Sequence, residues 1–107
     1  MIITPASTIA GHKVVKTLGL VRGNTIRARH LGRDILAGLK GIVGGEIEEY
    51  TKMMAEAREQ SVDRMVAEAT RLGATAITDV RFMTSFIMGA ASEILAFGNA
   101  VNIEPEP

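Results

Sequence analysis

The sequence predicts an α+β protein in which a small, mainly antiparallel sheet wraps around one long helix. Three observations lead to this class. Alternating, β-branched segments lie towards both ends of the chain, helical spacing occupies the middle, and the length of 107 residues suits one domain. We therefore expect residues 1–107 to form a single domain. The expected order is hairpin, short helix, long helix, hairpin.

The first hairpin is predicted near the start of the chain. The segment HKVVKTLGLV, residues 12–21, is rich in β-branched side chains and mostly alternates apolar with polar residues. Gly23-Asn24 is a dipeptide typical of turns, so residues 25–28 are expected to return as the second strand. Residues 2–4 are expected to form a short edge strand that ends at Pro5.

The middle of the chain has helical spacing. Apolar residues at steps of three and four, from Ile35 to Val43, predict a short helix that Gly44-Gly45 ends. A long helix is predicted over residues 46–72, because one stripe of apolar and small residues continues throughout. Three glutamates in its first turn and Gly73 after its last suit the two ends of a helix. The stripe consists of Ile47, Tyr50, Met54, Ala57, Ser61, Met65, Ala69 and Leu72.

The second hairpin is predicted after the long helix. Residues 75–88 and 93–103 have strand composition and are separated by the Gly-Ala-Ala turn at 89–91. Gly98 is expected to mark a bulge or a close approach of two backbones. Each strand has one apolar face, formed by Val80, Phe82, Phe86 and Met88 in the first strand and by Leu95, Phe97, Val101 and Ile103 in the second.

Composition excludes several classes of protein. The chain has no Cys, so disulfides, thiolate metal sites and a cysteine nucleophile are impossible. Lys plus Arg equals Asp plus Glu at 12 each, and aromatic residues are 4%, so no nucleic-acid partner is expected. No uncharged stretch approaches the roughly 20 residues of a spanning helix. Because the first residues lack a basic signal-peptide region, we expect a cytoplasmic protein without membrane contact.

The apolar content predicts assembly with other copies of the chain. Hydrophobic residues make up 47% of the sequence, and a small domain has too little interior to bury so many. A helix of roughly 40 Å is also long for its own short strands to cover. Residues 1–45 carry a net charge of +6 and the remainder −6, so faces of neighbouring subunits could attract each other. The expected partner is therefore a second copy.

The glycine-rich stretch GLKGIVGGE, residues 38–46, is the strongest candidate for a binding site. It ends where the long helix begins, and backbone N–H groups at a helix N-terminus suit a small anion. Glu46 and the glutamates after it would repel an anion. The competing interpretation is a tight loop whose glycines let two backbones pack closely.

Signals for other chemistry are weak. His12 and His30 lie on separate elements without metal-ligand spacing, which favours hydrogen-bonding histidines over metal ligands. No serine has the GxSxG context of a catalytic nucleophile. The alternative to a binding protein is an enzyme acting on a small anionic substrate, with Arg33 binding the anion and Asp34 or Glu48 as the base.

Several motifs occur in an order that resembles a known family. They are GLVRGNTIRA at 19–28, Arg33-Asp34, GIVGG at 41–45, Tyr50, Ala57-Arg58-Glu59 and LGA at 72–74. The chain resembles the YbjQ-like family of small bacterial and archaeal proteins over nearly its whole length. The resemblance implies a subunit similar to dodecin, assembly into a ring-shaped homopentamer and a family label of heavy-metal binding. It implies no established activity and no particular cofactor.

Four residues match the family motif and are the candidate ligand-binding residues: Arg33, Asp34, Gly44 and Gly45. A structural role for Arg33 and Asp34, as an ion pair that fixes the loop or a subunit contact, is equally open. No metal ligand is expected in this chain, because it has no Cys and two scattered His. The sequence therefore predicts a homo-oligomeric, pentameric small-ligand or metal-binding or scaffold protein.

Overall fold

The computed structural model describes residues 1–28, 44–87 and 91–107. One helix packs on a four-stranded sheet of order β1-β3-β4-β2, in which β1 is parallel to β3 and β4 is antiparallel to both neighbours. The α+β class is confirmed, and the sheet is mixed because of β1. The elements are β1 (Ile2–Ile3), β2 (His12–Ala28), α1 (Gly44–Arg71), β3 (Ala76–Ile87) and β4 (Ala91–Pro105).

Two predicted elements lie partly or wholly outside the described residues. The short helix expected between Ile35 and Val43 falls entirely within the undescribed segment 29–43. The turn of the second hairpin falls largely within residues 88–90. The two strands of that hairpin are confirmed, because β3 and β4 pair antiparallel from Ala76 opposite Val101 to Ile87 opposite Ala91.

β2 is one continuous strand of 17 residues, so the predicted hairpin with a turn at Gly23-Asn24 is wrong. Gly23 lies within the strand and pairs with Ala96 of β4. A Cβ at this position would collide with the backbone of Ser61 and Met65, and would lie 2.7 Å from the Cβ of Arg64. Gly23 therefore marks the place where α1 crosses the sheet, since only a glycine admits backbones this close.

The long helix is confirmed, and it begins two residues earlier than predicted. Its C-terminus has the predicted glycine cap, because Gly73 has a φ of 84°. The N–H of Gly73 donates to the carbonyl of Thr70 at 3.0 Å, and the N–H of Ala74 donates to that of Ala69 at 3.0 Å. This pair of hydrogen bonds is the Schellman motif, which satisfies carbonyl groups that the helix end would leave unpaired.

The apolar stripe of α1 faces the sheet over its second half. Ala57, Ser61, Met65 and Ala69 are each at most 1% exposed, as the spacing predicts. Leu72 is 44% exposed, because it follows the last helical residue and no longer shares the stripe. For residues 44–50, at the start of the helix, the structure describes the backbone and not the side chains.

The residues of β4 that face α1 are smaller than expected. Ile94, Ala96 and Ala100 are at most 1% exposed and pack beneath the helix, whereas Leu95 and Phe97 point to the opposite, open face and are half-buried. A small side chain is required at Ala96, which pairs with Gly23, because α1 approaches the sheet closely there. The core cluster consists of Val21, Met65, Ala69, Ile77, Val80, Ala96 and Ala100.

The bulge expected at Gly98 is confirmed and lies on the partner strand. Asp79 and Val80 of β3 together oppose Gly98 of β4, and Asp79 has a φ of 55°. A Cβ on Gly98 would lie 2.7 Å from Cγ2 of Ile77 and 2.9 Å from the carbonyl oxygen of Thr78. The glycine thus makes room for the extra residue of the bulge.

The molecule is elongated. Its radius of gyration is 17.8 Å and its principal extents are 61 × 22 × 16 Å, whereas a compact domain of this length has a radius of gyration of about 13 Å. Among the described residues, no helix is both long and apolar enough to cross a membrane.

Candidate functional site

Two of the four predicted ligand-binding residues have a described position. Gly44 and Gly45 are the first two residues of α1, where the backbone N–H groups have no partners within the helix. Arg33 and Asp34 belong to the segment 29–43, outside the described residues. The structure therefore supports the placement of the glycines at a helix start and leaves their relation to Arg33 and Asp34 as a prediction.

A surface groove of about 450 Å³ lies between the end of β2 and α1. Nη2 of Arg27 donates a hydrogen bond to Oε1 of Gln60 at 3.1 Å across it. Nε of Arg27 is buried and has no hydrogen-bond partner among the residues that the structure describes. The groove is lined by Arg27, Ala55, Glu56, Glu59, Gln60 and Asp63. Sequence reasoning missed this groove, because Arg27 was placed on a returning strand and Gln60 lies outside the predicted apolar stripe of the helix.

The charge of this groove favours cationic or neutral polar ligands over anions. Three carboxylates, those of Glu56, Glu59 and Asp63, line it with one guanidinium. An anion would therefore meet net repulsion there at neutral pH. The proposed anion site at the start of α1 gains no support from this groove.

A polar cluster surrounds the bulge at Asp79, on the side of the sheet where β1 lies. The Ser7 hydroxyl donates to Oδ1 of Asp79 at 2.6 Å, and Nδ2 of Asn99 donates to Oδ2 at 3.1 Å. Nη1 of Arg81 donates to the carbonyl of Pro5 at 2.8 Å. The N–H of Asp79 donates to the carbonyl of Ala6 at 3.0 Å. These contacts fasten the segment after β1 to the bulge of β3.

The hydrogen bond from Ser7 is the main reason why the pKa of Asp79 lies below its usual value. Desolvation opposes this shift, and Asn99, Thr78 and the charge of Arg81 add to the lowering. Sequence reasoning did not select Asp79. The available signal was an aspartate inside a strand opposite a glycine, because Asp is rare in strand interiors and tolerates the left-handed region.

The described residues do not fit a heavy-metal site. Soft metal ions prefer thiolate, and imidazole suits several transition metals, but the chain has no Cys and two His. Nδ1 of His12 lies 3.1 Å from the carbonyl of Ala10, which engages one of its ring nitrogens. Among the side chains that the structure describes, in residues 1–27, 51–86 and 92–107, there is no group of three or more His, Cys, Asp or Glu that could hold a metal ion.

The sequence is similar to known proteins over nearly its whole length. The family model YbjQ_1, described as "Putative heavy-metal-binding", matches residues 1–104. A UPF0145 protein of Dehalococcoides mccartyi is 61% identical over 97% of this chain and 100% of its own length. A UPF0145 protein of Methanosarcina acetivorans is 56% identical over 96% of this chain and 97% of its own.

A solved structure has the same fold. The crystal structure of a protein of unknown function in the DUF74 family, from Pediococcus pentosaceus, superposes with a TM-score of 0.67 and covers 97% of this chain and 98% of that one. The two chains are 17% identical, so the similarity concerns the fold alone.

Fold and sequence together define a class of small α+β proteins in which one long helix crosses a mixed sheet. Within that class, this chain belongs to the YbjQ-like family, whose curated relatives have the name UPF0145. The heavy-metal description belongs to the family model. The donor set of the described residues gives it no support in this chain.

Proposed function

We propose that the chain is a cytoplasmic homo-oligomeric binding or scaffold protein, with the homopentamer implied by the family resemblance as the expected assembly. The observation that carries the proposal is the apolar surface that the isolated chain leaves open. Five large hydrophobic residues on the sheet are 49–70% exposed: Leu20, Ile26, Phe82, Met83 and Phe86. Such a concentration on so small a protein is typical of a surface that a partner covers.

The accessible surface supports the same proposal. The chain exposes 6904 Å², whereas a compact monomer of this size exposes about 5,800 Å². The excess of about 1,100 Å² exceeds the roughly 800 Å² that each partner contributes to a standard interface. An elongated chain with this much extra surface therefore gains stability when copies associate.

A small anion is the proposed ligand, held at the start of α1. The first N–H groups of the helix, at Gly44 and Gly45, have no acceptor within the helix, and Arg33 would supply a positive charge. Asp34 would orient Arg33 as its ion-pair partner. The glutamates that follow weaken such a site, so a binding constant in the millimolar range is expected.

Native mass spectrometry with sedimentation velocity at micromolar concentration tests the assembly. The expected result is a single species of five copies, and a monomer in both measurements would contradict the proposal. Inorganic phosphate is the probe for the ligand site. We expect it to raise the melting temperature of the wild type and to have a smaller effect on Arg33→Ala. Arg58→Ala, which removes an exposed arginine elsewhere on α1, is the matched control.

A further inference from the structure

The sheet has two open edges. Within the described part of the chain, no strand pairs with the outer side of β2. β1 covers β3 only at Ala76 and Ile77, so the outer edge of residues 81–87 also has no partner strand there. Open edges present unpaired N–H and C=O groups that readily pair with another strand.

The open edge of β3 has none of the usual protection against pairing. After Arg81, its residues FMTSFI contain no charge, proline or glycine. Phe82 is 49%, Met83 is 56% and Phe86 is 70% exposed. A short apolar strand of this kind is an aggregation hazard unless a partner covers it.

The edge of β2 is protected in one half and open in the other. Its first half has Lys13 and Lys16 and two irregularities of register, near Val14 and Gly19. Lysines and bulges both discourage edge pairing. Residues 20–28 pair without interruption with β4, and both Leu20 and Ile26 are more than half exposed.

The two open segments lie on opposite sides of the same stretch of β4. Arg22 and Arg81 both pair with Phe97, and Ala28 and Ile87 both pair with Ala91. Because β2 and β3 are each antiparallel to β4, they run in the same direction. A rotation about an axis along the strands therefore brings β3 of one copy beside β2 of the next in parallel orientation.

We propose that residues 81–87 of β3 pair in parallel with residues 20–28 of β2 in the next copy. This inference rests on the proposed homo-oligomer and specifies its interface. One contact of this head-to-tail type covers both open edges of every copy, and it forms a ring when the rotation from copy to copy closes on the first copy. A twofold pairing of β3 with β3 would leave the edge of β2 open. In the head-to-tail contact, Met83 of one copy lies on the same face of the joined sheet as Leu20 and Ile26 of the next. The apolar face of the sheet is therefore continuous between copies.

Disulfide cross-linking tests the interface, because the chain has no cysteine of its own. Ser85→Cys is combined in turn with Arg22→Cys, Asn24→Cys and Ile26→Cys, all exposed and on the open face. Steps of two residues keep the side chains on that face while they sample the register. A disulfide forms only where the two Cβ atoms come within about 4.5 Å.

We expect one double variant to give a ladder of covalent species up to the full copy number, and no single variant to cross-link. Mixing the two matching single variants should give covalent dimers only. Dimers of Ser85→Cys alone would show a twofold contact and overturn the inference. The absence of cross-links in all three double variants, in a protein that still sediments as the oligomer, would overturn it as well.

A charge on the β3 edge provides an independent measurement. Phe86→Lys is expected to weaken association at least tenfold, because a lysine in the edge opposes pairing. Leu72→Lys, an exposed apolar residue at the end of α1 rather than on an edge, is the matched control and should sediment like the wild type. Circular dichroism checks that both variants are folded. A wild-type monomer would refute the proposed function, whereas an unchanged Phe86→Lys oligomer would refute only this interface.

Discussion

At Gly23 the backbone of β2 lies against the backbone of α1. The sequence around it, RGNT, has a dipeptide typical of turns, and nothing within a few residues shows that a helix 40 positions later crosses there. The reason for this glycine is a contact distant in sequence. Local patterns could therefore not distinguish a turn glycine from a crossing glycine.

The first prediction concerns Gly23→Ala. The added Cβ meets backbone atoms of Ser61 and Met65, which cannot move without shifting the helix. We expect the free energy of unfolding to fall by about 2–3 kcal/mol, as measured by urea denaturation. Asn24→Ala, which changes the exposed neighbour, is the control and should change it by less than about 0.5 kcal/mol. Equal stability of the two variants would contradict the crossing.

Ser61 joins α1 to the two strands beneath it. Its hydroxyl oxygen lies 3.0 Å from Oγ1 of Thr25 and 2.9 Å from the carbonyl oxygens of both Ala57 and Ile94. A hydroxyl has one hydrogen, so Ser61 donates to one acceptor at a time, and the Thr25 hydroxyl can donate to Ser61. The sequence predicted the position of Ser61 in the buried stripe but not its hydrogen bonds.

The second prediction is that Ser61 and Thr25 are energetically coupled. Ser61→Ala leaves the buried Thr25 hydroxyl without this partner, so we expect a loss of about 1–2 kcal/mol. Thr25→Val alone should cost a similar amount. The double variant should lose less free energy of unfolding than the sum of the two single losses. The difference should be about 1 kcal/mol in a double-mutant cycle. Additive losses would show that the two hydroxyls act independently.

The third prediction concerns pH. The lowered pKa keeps Asp79 charged in the folded protein at a pH where the unfolded carboxyl is already protonated. This charge therefore stabilises the fold above the unfolded pKa, and the contribution is lost as the pH falls through the folded pKa. Ser7→Ala should make the stability of the fold less sensitive to acid. Melting temperatures measured between about pH 7 and about pH 3 test this expectation. Thr8→Ala is the control, and an identical pH profile of Ser7→Ala would contradict the role of Ser7.

The helix and the second hairpin could be predicted because their signals are local. The buried stripe from Ala57 to Ala69 and the helix cap at Gly73 are both present in the structure as predicted. The faces of β4 were less predictable, since the larger residues Leu95 and Phe97 lie on the open face. Which face is covered depends on where α1 packs, and the spacing of α1 from the sheet selects small residues there.

The fourth prediction concerns the end of α1. Gly73 has a left-handed backbone, so Gly73→Ala is expected to lower stability by about 1 kcal/mol. The melting temperature measures the loss. Ala67→Gly, in the exposed part of the helix, is the matched comparison and should cost a similar amount through helix propensity. A more stable Gly73→Ala variant would show that the glycine cap is unnecessary.

The shape of the whole molecule could not be predicted from composition. The hydrophobic fraction of 47% indicated surplus apolar surface, but its location on the two strand edges follows from the unbroken length of β2 and the early end of β1. The predicted ligand-binding residues depend on a family motif, of which only Gly44 and Gly45 have a described position. Their role stays a prediction.

The fifth prediction is that stability depends on protein concentration. If copies bind one another only when folded, association stabilises the native state by mass action. The melting temperature should therefore rise between about 1 μM and about 100 μM protein. Phe86→Lys should abolish this dependence, and Leu72→Lys should retain it. A constant melting temperature in the wild type would contradict the assembly.

The position of β4 in the middle of the sheet has a consequence for how the protein folds. Among the described strands, β2, made early in synthesis, pairs with β4 alone, at sequence separations from 63 residues for Ala28 and Ala91 to 93 for His12 and Pro105. Two-state proteins with such distant contacts fold slowly. The nascent chain thus carries β2 unpaired until β4 has been made, and during that interval its apolar residues are available to chaperones.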